Sequence, residues 1–417
     1  PIGLLGILLC AAVPQPLWGR WLPPGLIPCL CTAALLLTTG AGTGFVSGLL
    51  RLKPLVGVGK ISYSLYLWHW PVLAFLKHLE TDLQLEVAGT HYRILALLFS
   101  FAMAVGSYLL IEQPIRKKEL LATSRALVGA VSGVALACLT VSCALIGFHG
   151  MPGRFDGEVL KYAGAAEQDA GRFVRTMKAA DLLSQELYAC GPKDADTTCL
   201  VWGDSHAMCL LTGLEALADR HAVRLDQATR YATAPLLNFD HLAIWRNDGA
   251  SEFCEKTLQL IEKRRYDCVL LVAAWESYLN WPSFQPSLQA TLDRLHQYQV
   301  PVVFVLPIPD QGVDVPMVLA GSVRWGRAID GIGVTASDRQ MRIQPLLQLL
   351  KQQTGDRIAV VDPVSALTDN SGVIRAALNG ESLYSDHQHL SWAGSRRVAP
   401  IIMDQLLPLI RKSGSYM

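Results

Sequence analysis

The chain has 417 residues, 51% of them hydrophobic, and 36 Lys and Arg against 35 Asp and Glu leave a formal net charge of +1. That near-balance removes any global attraction to nucleic acid, and no basic patch interleaved with aromatic residues supplies a local one. A mean hydropathy of +0.30 exceeds that of an ordinary soluble protein, and the excess is confined to the residues before Ile146, with charge returning at globular density from Arg154.

The opening "PIGLLGILLCAAV" starts on Pro and has no basic n-region, so it reads as neither a translation start nor a signal peptide, and a fragment of a longer chain is expected. Charge is absent from residues 1–19, 21–50, 61–76, 94–111 and 126–148. Since a helix needs about 20 apolar residues to cross the hydrocarbon, these stretches predict roughly five transmembrane helices within residues 1–150. The basic loops "RLKPLVGVGK" (51–60) and "RKKELLATSR" (116–125) are two spans apart, and the "HLETDLQLEVAGTHYR" between them is more acidic. Lys and Arg accumulate in cytoplasmic loops, so everything after Gly150 is expected outside the cytoplasm.

Two clusters stand out in this half. "GKISYSLYLWHWPVLAF" (59–75) carries His69 among interfacial aromatics, and "SYLLIEQPIRKKE" (107–119) carries Glu112. Ionisable groups at membrane depth are costly and tend to face protein or water, which makes His69 and Glu112 candidate functional residues. "ISYSLYLWHWPV" and "IEQPIR" resemble the closing helices of the membrane acyltransferase family 3, whose members modify cell-envelope glycans. The resemblance implies that residues 1–150 are the C-terminal part of such a domain, and that acetyl-CoA or another acyl-CoA is the donor, with no permanently bound cofactor.

Residues 151–196 read as a polar connector. Beyond them, apolar runs at 198–203, 267–274, 301–307 and 357–362 predict buried strands, and "HAMCLLTGLEALADRHA" and "SLQATLDRLHQYQ" predict helices between them. Strands alternating with helices imply an α/β domain over 197–412 with a mostly parallel sheet covered on both faces.

Sites in such sheets form at the carboxyl ends of strands. "GDSHA" (203–207) follows the first predicted strand and opens a helix: Gly203 permits a tight turn, and Ser205 can offer its own backbone N–H to an oxyanion. An ordinary N-cap by Asp204 or Ser205 would use the same residue types. Near the C-terminus, "LYSDHQHLSWAGS" places Asp386 three residues before His389. A nucleophilic serine needs a base and a carboxylate to orient that base, and this loop offers both.

"GDSHA" and "DHQHLS" together resemble the first and last sequence blocks of the SGNH esterases and acyltransferases. An acyltransferase family 3 membrane domain followed by an outward-facing SGNH domain is the architecture of bacterial O-antigen and peptidoglycan O-acetyltransferases. The resemblance implies transmembrane helices followed by a three-layer α/β/α fold, in the bacterial inner membrane with the C-terminal domain in the periplasm or outside the cell. It also implies Ser205 as nucleophile, His389 as base and Asp386 as its orienting carboxylate, with no metal. The expected partners are membrane lipid and a glycan acceptor such as O-antigen, peptidoglycan or exopolysaccharide. Gly203 and Asp204 are candidate oxyanion or substrate residues. Trp275, in "VAAWESYLN", stands where the third SGNH block normally brings an Asn, and is either a site-lining residue or an aromatic capping the sheet.

A membrane-anchored carbohydrate esterase would use the same triad, and a glycan-binding module with a degenerate site would keep the same fold. Among ten cysteines, Cys190, Cys199 and Cys254 lie in the exported polar part of the chain, and a disulfide between two of them is expected. No Cys or His spacing makes a zinc site.

Overall fold

A computed structural model of the chain describes residues 2–12, 25–39, 44–83, 90–165, 176–183, 186–239, 249–352 and 357–413. It divides into two compact units, the first Pro1–Lys77 with Glu86–Ala144, the second His78–Leu85 with Leu145–Met417.

The first unit is helical: α1 (Ile2–Ala12), α2 (Leu26–Thr39), α3 (Phe45–Leu50), α4 (Lys53–Leu83), α5 (Thr90–Ser107), α6 (Gln113–Arg116) and α7 (Ser124–Gly147). Among the described residues, two continuous helices are long and apolar enough to cross a membrane, Thr90–Arg116 and Ser124–Gly147. The expected spans within 1–19 and 21–50 lie partly outside the described residues, and α4, at 31 residues, is long enough but dilutes its apolar part with His69, tyrosines and tryptophans.

Between α5 and α6 the helix widens into a π segment, Tyr108–Glu112. Glu112 ends it and is held on both sides: Ser64 Oγ donates to its Oε2 at 3.1 Å and Arg116 Nη1 to its Oε1 at 3.1 Å. His69 turns back on its own helix, with Nδ1 2.8 Å from the Tyr66 carbonyl and 3.2 Å from that of Leu65. Both ionisable groups thus find polar partners within the helices, the arrangement their desolvation cost demands.

The second unit is built on a six-stranded sheet in the order β1-β3-β2-β4-β5-β7: β1 (Ala189–Cys190), β2 (Thr197–Gly203), β3 (Val223–Thr229), β4 (Cys268–Val272), β5 (Val302–Val305) and β7 (Ile358–Val361). All pairings are parallel except that of β1 with β3. The four apolar runs of the sequence are β2, β4, β5 and β7. Strand β3, "VRLDQAT", does not look like a strand because its buried Asp226 breaks the apolar pattern. That carboxylate is satisfied locally by Arg224 Nε at 2.7 Å, Arg264 Nη1 at 2.9 Å and Tyr266 Oη at 2.9 Å, which lets it sit in an inner strand at little cost. Strand β1 lies inside the stretch expected to be only a connector.

Helix α8 (Gly157–Ala163) precedes the sheet. Helices α9 (Ser205–His221), α10 (Ala250–Arg264), α11 (Trp275–Tyr278), α12 (Phe284–Gln297), α13 (Val315–Arg324), α14 (Ala336–Lys351) and α15 (Trp392–Ser413) follow or connect its strands. Two small antiparallel ladders, β6 (Gly333–Thr335) with β8 (Val373–Arg375) and β9 (Ala377–Leu378) with β10 (Glu381–Ser382), complete it. Alternate residues of the strands feed two apolar cores, Val201, Leu270 and Val303 in one, Leu200, Leu271 and Phe304 in the other. Helices therefore cover both faces, a three-layer arrangement. From β2 the chain passes to β3 on one side and then to β4 on the other, so the carboxyl end of β2 is a switch point where a crevice forms.

The cysteines correct an expectation. Every described cysteine of this unit is a buried free thiol. Cys190 and Cys199 both pair with Leu225, from opposite sides of β3. They stand two strand spacings apart, roughly 9–10 Å, beyond the roughly 7 Å limit of a disulfide. Cys254 belongs to the opposite core. Cys199 instead faces Cys268 across β2 and β4, and the hydrogen bond between the thiols, together with burial, pushes the Cys199 thiol well up.

Candidate active site

Gly203 ends β2 where no side chain fits: a Cβ there would lie 1.8 Å from the Val272 carbonyl and 2.8 Å from Ala207 Cβ. Asp204 follows in an extended conformation as the N-cap of α9, and Ser205 is the first helical residue, 7% exposed. The capping carboxylate does more than cap. One oxygen accepts from the His206 backbone N–H at 2.8 Å, the other from the Ala274 N–H at 2.9 Å and the Tyr278 hydroxyl at 3.0 Å. Asp204 thus rivets the turn before Ser205 to the loop after β4. Burial pushes its carboxyl up to about 6, against the pull of those three hydrogen bonds. Fully engaged and 1% exposed, Asp204 faces the protein and not a substrate, which corrects its assignment as an oxyanion or substrate residue.

The loop between β10 and α15 supplies the second part. Asp386 Oδ1 accepts from the backbone N–H groups of Gln388 and His389, both at 2.8 Å, and closes the turn. Its Oδ2 lies 2.6 Å from His389 Nδ1. Burial would raise Asp386, but the hydrogen bond and charge of the His389 side chain and the two backbone N–H groups overcome it and hold the carboxyl well below the usual range. With Nδ1–H given to this carboxylate, His389 Nε2 is left to accept the Ser205 hydroxyl, 2.8 Å away.

Serine and base are 184 residues apart and meet because α9 and α15, the helices that begin beside each, pack closely. Ser395 Oγ accepts from Gly213 N–H at 2.8 Å and donates to the Leu210 carbonyl at 3.0 Å. The structure therefore brings Ser205, His389 and Asp386 into one hydrogen-bonded chain. Such a chain can move a proton from a hydroxyl to an imidazole steadied by a carboxylate, the requirement of acyl transfer.

Trp275 does not reach this centre. It has no exposed surface, its Nε1 donates to the Val305 carbonyl at 2.9 Å, and its ring stacks on Phe304 at 4.6 Å. It plugs the core beneath the loop, which decides between its two readings in favour of an aromatic packed on the sheet and against the wall of the site. His387 points elsewhere as well, its Nδ1 3.0 Å from Asp310 Oδ1.

Sequence reasoning passed over His206. Its ring centroid is 5.0 Å from that of His389, and burial, reinforced by His389, pushes it down to about 3, so it is neutral at ordinary pH. The only signal in the sequence is its place in "GDSH". Glu276 is the second omission: burial raises its carboxyl, opposed by Arg342 and Arg339, and Arg342 Nη1 lies 3.3 Å from its Oε2. Nothing in "AAWESY" distinguishes it from a surface carboxylate.

Residues 175–404 match the family described as SGNH domain (fused to AT3 domains). O-acetyltransferase OatA of Staphylococcus aureus strain NCTC 8325 / PS 47 is 45% identical over 69 residues, 16% of this chain and 11% of that protein; the same figures hold for OatA of strain COL. The chain thus spans about a tenth of the length of these curated relatives. Among solved structures, the periplasmic domain of a lipopolysaccharide acetyltransferase from Salmonella ser. Paratyphi A aligns at 14% identity and a TM-score of 0.46, covering 60% of this chain and 97% of that one. TesA aligns at 13% identity and a TM-score of 0.33, covering 51% and 99%.

Proposed function

The chain belongs to the family of SGNH domains fused to AT3 domains, and from that premise we propose that it is a cell-envelope O-acyltransferase whose soluble unit carries an acyl group on Ser205 and delivers it to a glycan hydroxyl. The observation that carries this reading is the Ser205–His389–Asp386 chain, with links of 2.8 Å and 2.6 Å. The name of the S. aureus relative favours acetyl as the group.

In the first half-reaction His389 Nε2 takes the Ser205 proton as Oγ attacks the donor carbonyl. The Ser205 backbone N–H, at the N-terminus of α9, faces the developing oxyanion. Collapse expels the donor's leaving group, which receives the proton from His389. In the second half an acceptor hydroxyl attacks the acyl-serine and its proton passes to His389. Ser205 then departs with that proton. Asp386 keeps the imidazole in the tautomer that accepts at Nε2 and offsets its charge while the proton is held. The acyl group originates with an acyl-CoA such as acetyl-CoA, the helices of the first unit belong to the part of the protein that handles that donor, and the protein works in the inner membrane.

p-Nitrophenyl acetate tests the assignment with a small donor. The wild-type chain should give a burst of p-nitrophenol and an acetyl group recovered by mass spectrometry on the peptide containing Ser205. Ser205→Ala and His389→Ala should each lower turnover about a thousandfold or more, with the double variant scarcely worse because such groups act as a unit. Asp386→Asn should lose less. Full turnover by Ser205→Ala would overturn the reading.

A further inference from the structure

The last residues of α7, from Leu145 to Gly147, belong to the second unit, and the chain leaves them through a bonded elbow. Gly150 N–H donates to the Leu145 carbonyl at 2.8 Å and Met151 N–H to that of Phe148 at 2.8 Å. Pro152–Arg154 then forms a short 3-10 turn, and Phe155 packs on the core. The run from Gly147 to Phe155 could span at most about 27 Å if fully extended, and the elbow and the turn shorten it. Where α7 crosses a membrane, this segment emerges into the headgroup layer, about 5–8 Å deep beyond the hydrocarbon.

The surroundings of Phe155 suit that layer. Arg154 lies over its ring, 4.6 Å from the centroid, and Arg324, at the end of α13, lies 5.1 Å from the same centroid and 5.3 Å from that of Trp325. Two cations therefore share one aromatic ring. Both arginines are exposed, and neither forms an ion pair among the described residues, the neighbouring Asp156 and Asp330 included. Like charges this close repel unless an anion joins them, and a guanidinium fork matches the oxygens of a phosphate. On the same two segments Phe148, Met151 and Trp325 are 63%, 46% and 54% exposed. Large apolar side chains, Trp above all, are favoured where hydrocarbon meets headgroups.

Helix α13 joins this patch to the reactive centre. Shortly before it starts, Gln311 N–H donates to the His387 carbonyl at 2.7 Å, on the loop that holds Asp386 and His389. Its 10 residues make it about 15 Å long, with Arg324 and Trp325 at the other end.

We propose that Phe148, Met151 and Trp325, with Arg154 and Arg324, form a membrane-docking face of the second unit. The apolar side chains enter the interfacial layer, and the two guanidinium groups grip the phosphate of an anionic phospholipid in the leaflet where α7 emerges. The proposal rests on the reading of α7 as a membrane span. Docking through this face holds the Ser205 centre about one length of α13 from the lipid surface, in a fixed orientation.

The test uses the full chain reconstituted into vesicles of phosphatidylcholine mixed with phosphatidylglycerol, with photoreactive benzoylphenylalanine in place of Trp325 or, as a control, of Met341. Met341 is 68% exposed, but its helix α14 packs on the opposite face of the sheet from α13. After irradiation, mass spectrometry should find about tenfold more lipid adduct at position 325 than at 341, enriched in phosphatidylglycerol beyond its share of the mixture. Arg154→Gln combined with Arg324→Gln should lower the yield at 325 about tenfold, since each basic group near an anionic surface adds to its attraction, while the melting temperature stays that of the wild type. Equal yields at 325 and 341, no preference for the anionic lipid, or a yield at 325 that the two arginine replacements leave unchanged would overturn the docking face. Release of the chain from the vesicles by alkaline carbonate would instead overturn the membrane reading beneath it, so the two failures are told apart.

Discussion

His206 and Asp204 flank the serine and are buried with opposite protonation preferences, and their effect on stability can be worked out by sign. The folded chain holds His206 down from 6.5 to about 3, so between those values the unfolded chain binds more protons. Its contribution is complete above about 6.5 and is lost as pH falls. Asp204 is raised from 3.8 to about 6, so there the folded chain binds more protons, and the contribution present below 3.8 is lost as pH climbs through 6. From about pH 4 to about pH 6 the two slopes oppose each other. His206→Gln should leave the Asp204 slope uncompensated, so that stability relative to wild type falls with rising pH by up to about 1.4 kcal/mol per unit. Urea unfolding followed by tryptophan fluorescence at several pH values checks this, and a variant whose pH dependence parallels the wild type's would refute it. At this scale the sequence displayed the three residues that the fold links by hydrogen bonds, Ser205, His389 and Asp386, because Ser, His and Asp of this kind stand in short motifs. It concealed the role of Asp204, because accepting from Ala274 and Tyr278 depends on a loop some 70 residues away.

Elements decide whether that chemistry is assembled. The four apolar strands were legible because strands buried on both faces read as unbroken apolar runs. Strand β3 was not, since its Asp226 is held by Arg264 and Tyr266 from a different part of the chain as well as by Arg224 of its own strand. Equally hidden is the crossing of α9 and α15, which turns on a single glycine. A Cβ on Gly213 would lie 2.3 Å from the Ser395 carbonyl oxygen and 2.6 Å from its Oγ. Gly213→Ala must separate the two helices, and Ser205 begins one of them while His389 stands three residues before the other. Overpacking at such a contact costs about 1–3 kcal/mol, and a shift of an ångström in the reacting groups can cost about a hundredfold in rate. The variant should therefore melt several degrees lower and lose most of its p-nitrophenol burst even below its melting transition. Ser395→Ala, which removes a hydrogen-bonded oxygen but adds no bulk, should lose about 1 kcal/mol and retain far more activity. Equal losses of activity in both would show that packing distance is not what matters.

For the whole molecule the question is on which side of a membrane the Ser205 centre works, and a glycan acceptor requires the outer side. The basic residues Arg51, Lys53 and Lys60 precede the apolar part of α4, and Arg116, Lys117, Lys118 and Arg125 fall between the two helices long enough to cross a membrane. If both loops are cytoplasmic, Ser124–Gly147 carries the chain outward once and the second unit follows it. That helix is suited to lipid: Val134, Leu136, Leu139 and Ile146 are all exposed, and none of its residues is buried within the chain. The free thiols are compatible with an oxidising compartment because those of the soluble unit are all buried and an inaccessible thiol is protected from oxidants. An alkaline phosphatase reporter, active only outside the cytoplasm, should therefore be active when joined after Met417 and inactive when joined after Lys118. Replacing Arg116, Lys117, Lys118 and Arg125 by uncharged residues should weaken that difference, since it removes the charge that keeps the loop inside. Activity of the reporter after Lys118, or its silence after Met417, would place the soluble unit in the cytoplasm and remove the envelope glycan as its acceptor.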